Sequence, residues 1–398
     1  MGSGGREHAL AWKLSRAGSL DELHAAPGNP GIAALGQCHP VRAEDGEGLL
    51  ALAGALEADL VVVGPEAPLV AGVADELRHL GVPVFGPGAA AARIEGSKSF
   101  AKDVMRAAGV PTAQSLPVAR TPCVIKADGL AAGKGVFVCR TQQELDDALR
   151  AAAAFGDALV IEELLDGDEV SLFALCDGAR AVPLPAVQDF KRVGDGDEGP
   201  NTGGMGSYSP VAGLGAAEAE ELVEQIHQPV LDELAARGAP FVGVLFAGVM
   251  LTDEGPRVLE FNCRFGDPET QSLLPRLDGD VLELLLAAAR GDLSSVSVDV
   301  DDGAAVTVVI AAGDYPAGTD VGTPIDGIDA AEAAGALVFH AGTARSGDRI
   351  LTNGGRILNV TGLGPNVAAA RDRAYEACDL ITFPDMRYRR DIAAVAHV

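Results

Sequence analysis

The chain has 398 residues, of which 48% are apolar and 22% charged, with a mean hydropathy of +0.19. At roughly 150 residues per domain this predicts two to three domains with a sizeable core, and it excludes intrinsic disorder. Fifty-seven acidic against 30 basic residues give a net charge of −27. Such a surface repels phosphate backbones and anionic lipid, which excludes a general nucleic-acid or membrane-surface binder.

The first 95 or so residues alternate helix and strand signals, with helices predicted over 7–15, 46–56 and 70–80 and a strand over 60–63. That alternation predicts a parallel sheet covered on both faces. Ligands in such sheets bind at the carboxyl ends of strands, where Gly64-Pro65-Glu66 and Gly86-Pro87 fall. From 96 to 293 the strand signals lie at 123–126, 135–139, 158–162, 170–176, 243–251 and 257–261. The stretch 188–210 reads as one long Gly-rich polar loop, a length that inside a compact domain is usually functional. A helix over 281–290 closes this region. The last hundred residues hold strand signals at 304–311 and 356–361 and a helix over 366–380. The expected division is therefore 1–95, 96–293 and 294–398. The longest apolar runs, such as 304–312, fall short of the ~20 residues a bilayer span needs. No export signal is expected, and the six scattered cysteines contain no C-x-x-C pair, so a reduced, cytoplasmic protein is predicted.

Only six of the basic residues are lysine: Lys13, Lys98, Lys102, Lys126, Lys134 and Lys191. Four of them fall in glycine-rich or strand-end motifs. Gly129-Leu-Ala-Ala-Gly133-Lys134-Gly135 follows the strand ending at Lys126. Its spacing fails the P-loop pattern, and strands on both sides make it a hairpin loop. It is either a flexible backbone cover for a triphosphate or an ordinary hairpin with a solvated Lys. Glu260 and Asn262 alternate on one strand and so share a face, offering the hard oxygens that magnesium takes beside nucleotide phosphates. Arg264 follows on that face, where developing negative charge could meet it, with Asp267 and Glu269 beyond; the alternative is a polar edge-strand face ending in a turn. Asp189, Lys191 and Arg192, followed by 199–206, suit an anion-binding surface or a mobile surface loop. Glu162, Glu163 and Leu164 at a strand end, with Glu169 beyond, could take an adenine edge and ribose hydroxyls, or form a solvated acidic turn. Gly2-Ser-Gly-Gly-Arg-Glu-His8 opens a helix whose N–H groups favour a phosphate, although Glu7 stands where a dinucleotide fingerprint needs glycine. Glu95-Gly-Ser-Lys98 starts another helix and supplies a second candidate phosphate lysine.

In order along the chain, GSGGREHALAWK, APGNPG, VGPEAPLVAGV, EGSKSFAKD, VIKADGLAAGKGV, KRVGD, GPNTGGMGSYSP, EFNCRFGDPETQ, AAGDYP, VFHAGT and TNGGRILNVT resemble the phosphoribosylamine–glycine ligases of purine biosynthesis, a family within the ATP-grasp superfamily. The resemblance implies mixed α/β and α+β architecture: an N-terminal parallel-sheet domain, a central ATP-grasp domain with a small lid subdomain near 113–187, and a small C-terminal α+β domain. It implies a carbon–nitrogen ligase that forms ADP through a glycyl phosphate, with glycine and 5-phosphoribosylamine as substrates, ATP consumed, and Mg2+ or Mn2+ required. By the same resemblance Lys98 and Lys126 hold ATP phosphates, Gly129, Gly133, Lys134 and Gly135 close over them, Glu162, Glu163 and Leu164 line the adenine, and Glu169 takes the ribose. Glu260 and Asn262 are the metal ligands, and Arg264, Lys191 and Asp267 the catalytic candidates. Asp189, Asn201, Thr202, Gly203, Gly204, Met205, Gly206 and Glu269 shape the acceptor sites, while Gly4, Gly5, Asn29 and Glu66 face the phosphoribosyl group. A monomer is implied, with no nucleic-acid or membrane partner.

Three departures accompany the resemblance. The family opens with a β-strand before its Gly-Ser-Gly-Gly turn, whereas Met1 directly precedes that turn here. The expectation is a start placed too far downstream, which would leave two unpaired strand edges. The stretch 115–122 is short and lacks a helix before the strand at Cys123. The strand 243–251 carries no acidic residue, so a second magnesium lacks the ligand that many superfamily members place there.

Overall fold

The computed structural model describes residues 1–130, 135–156 and 158–394. The N-terminal sheet is parallel, as the alternation predicted. His24–Ala25 pairs with Gln37–Cys38, and Val61–Val62 pairs with Val84–Phe85. Met1 and Gly2 lie between these pairs: the Met1 amino group donates to Val62 O at 2.7 Å, and Gly2 N–H to Ala26 O at 2.8 Å. The helices Gly5–Leu14 and Gly46–Ala55 match expectation. The helix predicted over 70–80 is instead two, Glu66–Val70 and Val73–His79. Gly72 between them takes φ +91°, a left-handed conformation that ends a helix and that glycine adopts without steric cost.

Strands Cys123–Ala127, Val136–Cys139 and Leu159–Glu163 make a small antiparallel sheet, backed by helix Gln142–Ala152. Thr141 and Glu144 cap that helix reciprocally. This unit has its own small core of Cys123, Ile125, Cys139, Leu145, Ala148 and Ala152. The larger sheet has eight antiparallel strands in the order Gly255–Asn262, Val242–Thr252, Asp168–Asp177, Ala181–Asp189, Gly206–Ser209, Ala304–Ala311, Arg356–Gly364 and Leu337–His340. It runs without a break across the expected boundary at 293/294, because Gly206 to Ser209 pair with Val308 to Ala305.

The loop predicted over 188–210 is therefore corrected. It contains strands Arg192–Gly194, Glu198–Asn201 and Gly206–Ser209, whose glycines and polar residues disguise a strand formed by distant pairing. A helix not anticipated from the sequence, Ala216–Ala236, packs on the other side of this sheet with Leu222, Val223, Ile226, Val230 and Leu234 buried. Near the C-terminus, helix Val367–Cys378 is capped by Asn366, whose side chain accepts from Ala369 N–H. It lies against Arg356–Gly364 so closely that a Cβ on Gly362 would stand 2.1 Å from Ala370 O. A second sheet, Asp320–Pro324, Arg349–Gly354 and Thr343–Ser346, completes this region. Apolar residues of the N-terminal helices and of the central sheet share one core. No described helix is long and apolar enough to cross a membrane.

Candidate active site

A cavity of about 280 Å³ opens where the three regions meet. Among the described residues, seven basic side chains line it (Arg6, Lys98, Lys102, Lys126, Lys191, Arg264, Arg356), matched by seven acidic ones (Glu66, Glu95, Glu162, Asp189, Glu260, Asp267, Glu269). In a chain carrying −27, a cavity whose described lining is formally neutral is a local concentration of cations, the condition an anionic ligand requires.

On one side, the small sheet and the helix Lys98–Ala108 bring three lysines together. Glu162, 2% exposed, accepts from Lys102 Nζ at 2.6 Å on one oxygen and from Lys126 Nζ at 2.7 Å on the other. Lys102 also donates to Thr112 Oγ1 and Ala113 O, and Lys126 to Leu259 O at 2.8 Å. Lys98 sits in the first turn of its helix, where Ser97 caps by accepting from Phe100 N–H. Its Nζ donates to Gly129 O at 2.9 Å, and its backbone N–H meets Asp128 Oδ1 at 2.6 Å. Burial and the nearby Lys126 hold the Lys98 ammonium below its ordinary pKa against the pull of Glu260.

Glu260 and Asn262 project from Gly255–Asn262 into the same cavity, as strand alternation predicted. Burial pushes Glu260 up, but Lys191, Lys126, Lys98 and Arg264 outweigh it and keep the carboxyl below the usual range. Gly248 stands opposite Glu260 in the neighbouring strand and leaves that face open. A carboxylate kept ionised beside a carboxamide oxygen suits a hard divalent cation. Among the described residues no group of three or more His, Cys, Asp or Glu could hold a metal alone, so this pair fits a cation that takes its remaining ligands from phosphate or water.

Opposite the lysines the carboxylates crowd. Asp189 ends the strand Ala181–Asp189 with its side chain 3% exposed. Among the described residues its Oδ1 has no hydrogen-bond partner, and it stands 3.9 Å from Lys191 Nζ, which pairs directly with Glu169. Burial, with Glu269, Glu169 and Glu260 nearby, pushes Asp189 up to about 8 against the pull of Lys191. Glu269 is also raised, chiefly by burial. Arg264 donates to Glu95 Oε1 at 2.9 Å and lies 3.4 Å from Glu66 Oε2. Asp267 is held below its usual range, because Arg356 and Arg6 overcome the effect of burial.

Most expected residues converge here: Lys98, Lys126, Gly129, Gly135, Glu162, Asp189, Lys191, Thr202, Gly203, Glu260, Asn262, Arg264, Asp267, Glu269 and Glu66 all line the cavity. Gly133 and Lys134 lie outside the described residues. The other expected residues are not among the described lining. Glu163 accepts from Gln114 N–H, Leu164 follows the strand end, and Glu169 pairs with Lys191. Asn201 pairs with Arg192, Gly204 packs on Pro268, Met205 is buried with Val193 and Ala311, and Gly206 pairs with Val308.

At the N-terminal turn, Asn29 donates to Ser3 O and His340 O and accepts from Gly31 and Ile32 N–H. Gly5 is pressed against Asn359, while a Cβ on Gly4 would stand 3.5 Å from Asp267 Oδ2. The helix N-terminus that favours a phosphate is filled from within. Glu7 Oε2 accepts from Gly4 N–H at 2.6 Å and Glu7 Oε1 from Arg6 Nε at 2.6 Å. A Cβ on Gly2 or Gly64 would fall 2.5 or 2.3 Å from the Glu7 side chain, so these glycines make room for a carboxylate. Arg6, Glu95, Lys102 and Arg356 are cavity residues that motif reading did not single out. The one available signal was their place inside or beside the quoted strings.

A family model described as the ATP-grasp (A) domain of phosphoribosylglycinamide synthetase matches residues 96–270, and the N-domain and C-domain models of that synthetase match 1–95 and 305–395. The chain is 52% identical, over 412 aligned positions, to the phosphoribosylamine–glycine ligase of Streptomyces coelicolor, spanning 100% of this chain and 98% of that one. It is 49% identical to the ligase of the same name from Mesorhizobium japonicum, over 98% and 96% of the two chains. Among solved structures, the phosphoribosylamine–glycine ligase of Thermotoga maritima matches with a TM-score of 0.85 at 35% identity, covering 98% of each chain. The biotin carboxylase domain of Hydrogenobacter thermophilus 2-oxoglutarate carboxylase, crystallised with MgADP and bicarbonate, matches over 97% and 90% with a TM-score of 0.70 at 17% identity. That likeness is one of fold alone.

Proposed function

The chain belongs to the phosphoribosylglycinamide synthetase family, and from that premise we propose that it uses ATP to join glycine to 5-phosphoribosylamine, giving 5-phosphoribosylglycinamide, ADP and phosphate in purine biosynthesis. The observation that supports this best is the neutral cavity built from all three regions, with lysines on one side and crowded carboxylates on the other. The reaction needs alignment and charge neutralisation more than a nucleophilic side chain, and this cavity offers those.

In this reading Lys98 and Lys126 take the ATP phosphates, with Gly129 and Gly135 beside them. Glu162 keeps Lys126 extended into the cavity, and Glu163 and Leu164 lie along the adenine side. Glu260 and Asn262 would hold Mg2+ or Mn2+, which when bound neutralises phosphate charge. The glycine carboxylate attacks the γ-phosphorus and ADP leaves. Arg264, fixed by Glu95 and Glu66, stabilises the charge on the resulting glycyl phosphate. The amine nitrogen of 5-phosphoribosylamine then attacks the acyl carbon and phosphate departs. Lys191, Asp189, Thr202, Gly203, Asp267 and Glu269 form the wall at which that amine is received, and Glu66 with the Gly4–Gly5 turn lies on the side of the phosphoribosyl group. We place this activity in the cytoplasm.

The test is ADP release from magnesium ATP, omitting glycine and freshly formed 5-phosphoribosylamine in turn. Release that requires both is the expected result; release with a different amine, or none at all, overturns the reading.

A further inference from the structure

Arg356 opens the strand Arg356–Gly364 of the C-terminal region, yet its guanidinium lies in the wall of the cavity. One terminal nitrogen donates to Gly203 O at 2.6 Å and Asp267 O at 2.7 Å, and the other pairs with Asp267 Oδ2 at 3.3 Å. Gly203 is gripped on its other side as well, its N–H donating to Tyr315 Oη at 3.0 Å. A Cβ on Gly203 would stand only 3.1 Å from Arg356 Cζ, so the backbone there is pressed onto the guanidinium. None of these contacts involves Lys98, Lys126, Glu162, Glu260 or Asn262.

We infer that Arg356, with Tyr315 behind it, is a positioning residue for the second half of the reaction: it sets the separation of the Gly203 and Asp267 walls between which the amine meets the glycyl phosphate. The inference rests on the reading given under Proposed function. Arg356 acts here through the walls it holds, since its Nη1 is engaged by two protein carbonyls and its Nη2 by a carboxylate. A planar fork of fixed geometry can span two carbonyls and a carboxylate at once, which an ammonium cannot. In the productive step a C–N bond forms, the acyl C–O bond to phosphate breaks, and the amine gives up a proton to solvent. With the walls loosened, water takes the place of the amine. The acyl phosphate is then hydrolysed to glycine and phosphate, and ATP is consumed without ligation.

Arg356→Lys, Arg356→Gln and Tyr315→Phe are compared with the parent chain in three readouts. These are product formed per ADP released, glycine-dependent exchange of the β,γ-bridging oxygen of 18O-labelled ATP, and KM for ATP. Loss of fixed geometry at this distance from the chemistry is expected to lower product per ADP about tenfold or more in both Arg356 variants. Exchange and KM for ATP should stay within about twofold of the parent, as expected for a step these groups do not touch. Tyr315→Phe, which removes one acceptor and keeps the ring, shows the same pattern more weakly and serves as the test if the Arg356 variants do not fold. Exchange that falls in step with ligation, or product per ADP that stays near one in every folded variant, overturns the inference. A parent chain without glycine-dependent exchange would instead overturn the reading under Proposed function.

Discussion

The two sides of the cavity hold charge in opposite ways. On the lysine side Glu162 gives one oxygen to Lys102 and the other to Lys126, so both of these ammoniums are paired. On the acceptor side Asp189, Glu169, Glu260 and Glu269 gather around Lys191, and Asp189 Oδ1 has no donor among the described residues. A paired arrangement keeps a side chain in place before the ligand arrives. A crowded one stores unfavourable energy that a cationic or hydrogen-bonding ligand relieves. The contrast shows which side was built for rigidity and which for occupancy.

The sharpest way to break this contrast is at Lys126. Lys126→Ala leaves Glu162 with Lys102 and should fold, while kcat/KM for ATP drops on the order of 10²–10³-fold, the scale of one lost charge-stabilising group. A steady-state ADP assay checks it. Next is Glu162→Gln, which strands two buried ammoniums and should cost roughly 3–5 kcal/mol of stability, read from urea unfolding.

Asp189→Asn should do the reverse. Its folded pKa of about 8 lies above the ordinary 3.8, so the parent loses stability as pH rises between those values. At pH 8 the variant should therefore be more stable, on the order of 2–5 kcal/mol, with a flatter pH profile. Equal or lower stability at pH 8 would remove the contrast between the two sides.

The last effect, confined to acid pH, belongs to a pair of groups outside the cavity. His8 and His340 are buried, with His340 N–H donating to His8 Nδ1, and burial lowers them to about 3 and about 4. Their contribution is complete above the unfolded pKa near 6.5 and fades as pH falls toward 4, by up to about 1.4 kcal/mol per pH unit for each ring. His8→Gln should flatten the acid limb of the stability curve without altering the Asp189 limb.

Much of this was legible along the chain, and particular residues show why. The strands 123–127, 242–252 and 304–311 were visible because apolar runs end at Gly, Pro or charged turns, and Glu260, Asn262 and Arg264 could be placed together because strand side chains alternate. Gly206–Ser209 was hidden, since its four residues carry no β pattern and become a strand only against Ala304–Ala311 and Ala181–Asp189. Arg356 was hidden for a related reason: nothing near it in sequence distinguishes a cavity arginine from a surface one, and its partners lie 89 and 153 positions away. Glu162 was assigned to the nucleotide from its strand end, but its pairing with Lys102 and Lys126 depends on three separate elements meeting. The filling of the N-terminal turn by Glu7 was likewise a matter of space, set by Gly2 and Gly64 together.

The unbroken eight-stranded sheet has a consequence for synthesis. Gly206–Ser209 leaves the ribosome long before Ala304–Ala311, the strand that covers its outer side. At 5–20 residues per second the intervening stretch of roughly a hundred residues takes about 5–20 s to make. Throughout that interval the nascent chain carries an open strand edge, the kind of surface that recruits other chains. The nascent protein is thus most exposed to misassembly while Glu260 to Glu269 are being made and before its last sheet strands arrive.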